Sequence, residues 1–230
     1  MRVAGLALSL TAIVCISSAH GSIPIVNPGF SADVIPDTAP GLAFTNLVSS
    51  WVITGNQGAG VLTTDPANPG GFSGVLSDSP GDPDHQNAYD NLGYISQGLS
   101  TPLAANQTYV LTADVGQRSD TLASNGYPGG GIFLGYGPNI GLNLLTAGSV
   151  IDPQPASGGW SVWTSTFSTG ASPAGLGQDL RIDLLSNGIQ MQFDNISLTA
   201  TSQIVPEPST LALWSLLAAC VFAASRRRQR

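Results

Sequence analysis

The sequence predicts an all-β domain, a two-sheet antiparallel β-sandwich, placed between an N-terminal signal peptide and a single C-terminal membrane helix. Three observations predict it. Short runs of β-formers are separated by clusters of Gly, Pro, Asn and Asp, the residues turns require. Residues 22–204 carry no 3.6-residue apolar repeat of the kind an amphipathic helix needs. The 28 Gly and 16 Pro are enough for many turns and too few for a disordered chain. Roughly eight or nine strands spaced by turns favour two packed antiparallel sheets.

In chain order, residues 1–19 come first. Met1-Arg2 precedes an apolar run over 3–16, and the small residues Ser17 and Ala19 follow, the pattern of a secretory signal peptide cut after Ala19. The sandwich is expected over 22–202. Its candidate strands are 48–54, 60–64, 92–97, 109–115, 131–136, 160–167, 180–184 and 191–198. In 180–184, apolar and charged residues alternate, which turns one face to the core and leaves Asp183 facing water. In 191–198 the alternation shifts at Asp194-Asn195, which predicts a bulge where the strand changes partner. Long loops are expected at 27–46, 64–91, 118–130 and 170–178. Residues 203–210 read as a linker, and 211–230 as a membrane segment with an Arg-rich end.

Charge excludes one class of partner. The chain has no lysine and 7 arginines against 14 acidic residues, a net charge of −7. A nucleic-acid binder needs a basic face to replace phosphate counterions. Both cysteines, Cys15 and Cys220, lie in the terminal segments, so the sandwich holds no thiol nucleophile or thiolate metal site.

The tail combines Pro206-Glu207-Pro208, an apolar run over 211–224 and Arg226, Arg227 and Arg228. The arginines would halt export on the cytoplasmic side. These parts, in this order, resemble a PEP-CTERM sorting signal over residues 205–230. The resemblance implies an exported protein, anchored at least transiently in the membrane. It also implies processing by an exosortase-type protease-transpeptidase, in a host that makes extracellular polysaccharide.

The body carries a second resemblance. Asn27-Pro28-Gly29-Phe30, a strand around Trp51, Tyr94 to Leu99, Ala105 to Tyr109 and Phe193 to Leu198 follow an order similar to galactose-binding-like jelly rolls of carbohydrate-binding modules. That likeness implies a jelly-roll sandwich. It also implies a structural calcium that joins the start of the domain to the last strand, with Asn27, Asp33 and Asp194 as ligands. Calcium takes oxygen ligands, the chief charge of this chain. Ser31 stands where the resemblance expects an acidic residue.

Catalytic patterns are sparse. His85 sits in a polar loop without a Gly-x-Ser-x-Gly elbow, and one histidine cannot build a multi-histidine zinc site. Asp78, Asp82, Asp84 and Asp90 lack EF-hand spacing. Asp114, Asp183 and Asp194 could supply a glycosidase carboxylate pair. Tyr89 and Tyr127, in polar surroundings, are the candidate sugar-stacking rings. Trp51 and Trp163 sit among apolar residues and read as core. The sequence thus predicts a non-catalytic surface or matrix protein at the cell surface or outside it, binding exopolysaccharide. The alternatives are a purely structural or adhesive module and a polysaccharide hydrolase.

Overall fold

The structure is a computed structural model that describes residues 20–33, 46–55, 58–63, 86–117, 127–188, 190–203, 214–218, 220 and 224–226. His20–Gln203 is one compact unit. The described strands are β1 (His20–Ser22), β2 (Val52–Gly55), β3 (Ala59–Thr63), β4 (Gln86–Asp90), β5 (Gly93–Pro102), β6 (Gln107–Gln117), β7 (Gly130–Tyr136), β8 (Ala147–Ile151), β9 (Trp160–Ser168), β10 (Asp179–Ser186) and β11 (Met191–Ser202). They form two antiparallel sheets, as the sequence predicts. One has the order β3-β4-β11-β6-β9-β8, with β1 also on β11; the other runs β2-β5-β10-β7.

Period-two patterning builds the core between the sheets. Tyr109, Leu111, Ala113 and Val115 of β6 face inward beside Trp163 and Phe167 of β9. Ile182 and Leu184 of β10 meet them from the other sheet, with Ile95 and Leu134 alongside. Each large aliphatic or phenylalanine side chain of this set contributes about 1.5–3 kcal/mol by leaving water. Trp51 and Trp163 are buried, as their apolar neighbours predict.

The expected bulge is present in β11. The β11–β6 register shifts between Asp194 and Ser197, and Asn195 takes a φ of 48°. Before the shift β11 pairs with β4; after it, with β1. Between the two partners the Ile196 N–H donates to the Pro28 carbonyl at 3.0 Å.

Three expectations change. β1, β4 and β8 are strands that the sequence did not single out. β4 falls in an expected loop because Gln, Asn and Asp are poor β-formers, yet β3 and β11 flank it and bury it. Asp183 does point away from the core, as its alternation requires, but it does not face water. The segment 137–146 covers it, and its side chain is 0% exposed. Finally, among the described residues no helix is long and apolar enough to cross a membrane, so the expected membrane helix is not supported. The apolar run there falls short of the ~20 residues a spanning helix needs. Residues 214–218, 220 and 224–226, including Arg226, are helical. The signal peptide, Pro206, Glu207, Pro208, Arg227, Arg228, Asp78, Asp82, Asp84 and His85 lie outside the described residues.

Candidate functional site

A cleft of about 320 Å³ opens where the β7 edge of one sheet faces β8 and β9 of the other. Phe133, Leu144, Leu145, Val150, Trp163 and Phe167 make it apolar, and Asp152 and Ser165 add polar groups. Trp163 is fixed by its indole N–H, which donates to the Pro153 carbonyl at 3.0 Å. Tyr127 meets Trp163 edge-on, with ring centroids 6.4 Å apart at 77°. Burial, with the Asp152 charge as a smaller cause, pushes the Tyr127 phenol above its ordinary range. Gly130 on the cleft wall is tightly enclosed: a Cβ there would collide with the Leu185 carbonyl of its own sheet and with the Met191 thioether of the other.

Behind Met191 lies a buried acid. Register places Ala59, Asp90, Met191 and Gln117 in one row across β3, β4, β11 and β6, on the face turned toward the other sheet. Asp90 is 2% exposed. Burial raises its pKa from 3.8 to about 6, against the smaller opposing effect of hydrogen bonds from the Ser186 and Asn91 backbone. Among the described residues, Asp90 Oδ2, Gln117 Oε1, Gln190 Oε1 and the Tyr127 hydroxyl are buried without hydrogen-bond partners. Each costs about 1–3 kcal/mol. Asp90 and Gln117 share one row and Gln190 directly precedes Met191 in that row; such groups retained together mark a candidate site for a ligand or for chemistry.

The residues singled out from the sequence go elsewhere, with one exception. Tyr89 is not an exposed loop ring; it lies on β4, is 4% exposed, and donates to Asn46 Oδ1 at 3.3 Å. Tyr127 lies beside the cleft, where its half-buried ring meets Trp163 edge-on. Asp183 is held by Arg181, with Nε to Oδ1 at 2.7 Å. Asp114 and Asp194 are direct neighbours in the other sheet, so Asp183 and Asp194 form no pair across a glycosidic bond. Asn195 Nδ2 donates to Asp114 Oδ2 at 2.9 Å.

The calcium ligands implied by the jelly-roll likeness come together only in part. The 27–30 turn lies over Asp194, whose Oδ1 would be 3.6 Å from a Cβ on Gly29. Asp33 turns instead to Ser49, accepting from its backbone N–H at 2.8 Å and from its hydroxyl. Asn27 Oδ1 accepts from the Ala32 N–H at 3.0 Å. Among the described residues no three acidic, histidine or cysteine side chains converge on one point. Asn27 and Asp33 are thus engaged within the chain, while Asp194 lies under the 27–30 turn.

Asp90 and Asp152 are the functional candidates that sequence reasoning missed or misplaced. Asp90 was visible only as one acid among four in an expected loop. Its signal is the short alternation of Ala88 and Asp90 with Asn87 and Tyr89, weak because most of those residues disfavour strands.

Comparisons with known proteins give this geometry a context. A Stig cyclase, Fisc, from Fischerella sp. TAU, solved with (3Z)-3-(1-methyl-2-pyrrolidinylidene)-3H-indole, is similar in fold at a TM-score of 0.62 and 22% identity. The match covers 81% of this chain and 100% of that one. A cyclase from the same organism, solved with 4-(1H-indol-3-yl)butan-2-one, also matches at 0.62 and 22%, over 80% of this chain and 100% of that one. A xylan-binding CBM22-1 domain from Paenibacillus barcinonensis is far more distant, at a TM-score of 0.39 and 12% identity over 70% of this chain and 91% of that one. No curated protein matches the chain by sequence. The family model described as HpiC1-like, HpiC1 cyclase, matches residues 21–199. That match overturns the expectation of a non-catalytic, polysaccharide-binding surface protein, because the body it covers is the sandwich of a cyclase family. It equally displaces the purely structural and hydrolase alternatives. Over most of its length, then, the chain belongs to the HpiC1-like cyclase family.

Proposed function

We propose that this chain is a cyclase that closes a ring in an apolar, indole-bearing substrate by acid catalysis. The observation that carries the reading is Asp90, a carboxyl buried behind an aromatic cleft with its pKa raised to about 6. Proton transfer from a positioned acid is effective when its pKa lies near the working pH. A protonated Asp90 delivers a proton, the substrate becomes cationic, ring closure follows within the apolar walls, and the closed cation returns a proton to the Asp90 carboxylate, which leaves a neutral isomer and restores the acid. Trp163, Phe133 and Phe167 line the cleft, and aromatic rings stabilise nearby cations. Met191 stands between the cleft and the acid. Its unbranched thioether is the side chain most readily moved aside by a substrate. The indole class is taken from the ligands of the similar Fischerella cyclases.

The test is turnover. A cyclisation of this kind is an isomerisation, so chromatography must show a new product of unchanged mass from an indole-bearing alkene. Asp90→Asn is expected to lower the rate roughly 10²–10⁴-fold. A full rate in Asp90→Asn would remove Asp90 from the mechanism. We also propose that the cyclase is exported through its N-terminal segment and is a substrate of an exosortase-type enzyme. Mass measurement of the exported protein, with and without that enzyme, tests the second part.

A further inference from the structure

Residues 137–146 leave the four-stranded sheet after Tyr136 and join the seven-stranded sheet at Ala147. Their last part, 144–146, forms one wall of the cleft. Their first part lies over Arg181 and Asp183, on the outer face of the four-stranded sheet. Arg181 Nη1 donates to the carbonyls of Tyr136 at 3.3 Å and Gly137 at 2.6 Å, and Nη2 to that of Leu142 at 2.7 Å. Asp183 accepts from Arg181 Nε and Nη2, each at 2.7 Å, and from the Gly141 N–H at 3.2 Å. The pair is almost wholly buried, with side-chain exposures of 3% and 0%.

Two glycines let the segment come this close. A Cβ on Gly135 would lie 2.7 Å from Arg181 Nη2. Gly141 has a φ of +69°, and a Cβ there would press on the Tyr94 ring at 3.1 Å. A buried ion pair is poor value as mere filling, because well-packed apolar groups do as well. What this pair supplies is direction. The planar fork of Arg181 reaches main-chain carbonyls at both ends of the turn, and its partner takes an N–H from the middle.

We propose that Arg181 and Asp183 are positioning residues that hold the 137–146 segment as a wall of the cleft and so set its affinity for ligand. The proposal rests on the reading of the cleft as the ligand site. Neither residue is itself among those that line the cleft; they act through the segment they bind.

The experiment uses the full chain, hydrogen exchange read by mass spectrometry, and calorimetric titration with 4-(1H-indol-3-yl)butan-2-one. Arg181→Lys keeps the charge and loses the planar fork. The expected result is faster exchange over 137–146, unchanged exchange in β6, and binding weakened on the order of tenfold, within what a displacement of about 1 Å can cost. A merely structural pair would lower the melting temperature and leave the affinity as it was. Gly141→Ala displaces the segment with the ion pair intact, and the same loss is expected; this variant decides the matter if Arg181→Lys does not fold. Unchanged exchange over 137–146, or unchanged affinity despite faster exchange, overturns the proposal. If the wild-type chain takes up none of the indole, the reading of the site falls. The wall is then tested with anilinonaphthalene sulfonate, whose fluorescence in the cleft must drop in both variants and whose constancy would overturn the proposal.

Discussion

Asp90 shows how one residue can work against stability and for chemistry. Its carboxyl is buried and its pKa is raised from 3.8 to about 6 by desolvation. A raised acid pKa means that the folded state binds more protons than the unfolded state between those two values. The contribution to stability is therefore complete below about pH 4 and lost as pH rises through about 6. A shift of two units corresponds to about 3 kcal/mol. Asp90→Asn removes the ionisation and keeps the shape. The variant is expected to melt above the wild type at pH 7, with the gap closing toward pH 4, while its cyclisation rate falls. Thermal melts across that range check the sign. A gap that is constant with pH would mean that Asp90 does not titrate as a buried acid.

At the scale of elements, β11 serves two partners by breaking its own register. Asn195 makes the break, with its φ of 48° and its side chain on Asp114 at 2.9 Å. The left-handed conformation costs most residues about 1–2 kcal/mol, and asparagine less. Asn195→Ala is expected to lose about 2–4 kcal/mol, from the strain and from the hydrogen bond together. Asn195→Gly tolerates the φ and is expected to lose only about 1–2 kcal/mol. Urea unfolding measures both, and an equal loss in the two variants would mean that the backbone conformation is not the source. This bulge was legible in the sequence because Asp194-Asn195 interrupts a clean alternation. The buried strand β4 was not, because Gln86, Asn87 and Asp90 earn their place from the strands beside them, not from any preference of their own. The cleft was less legible still. Trp163 reads as core from its neighbours and is core, yet one flank of it also lines the opening. Which flank is free depends on how two sheet edges, distant in sequence, are spaced.

For the molecule as a whole, charge is the term that packing does not cancel. The net charge is −7, and among the described residues of the sandwich the one arginine, Arg181, is buried against Asp183. Its positive charge is thus committed to the interior and does little for the acidic surface. Like charges left on that surface repel one another and disfavour the compact state. Salt screens them, with a Debye length of about 10 Å at 0.1 M and about 3 Å at 1 M. Stability is therefore expected to rise with sodium chloride, by about 1 kcal/mol or roughly 2–4 °C in melting temperature, and to level off once neighbouring charges are screened. The same melts separate screening from a bound ion. At matched ionic strength, calcium and magnesium should act alike if repulsion is the cause, since Asp33 is already occupied by Ser49 and no three acidic side chains converge among the described residues. A shift specific to calcium and abolished in Asp194→Ala would instead require main-chain oxygens of the 27–30 turn to complete a site around Asp194. The surface charge would then be only part of what limits this fold.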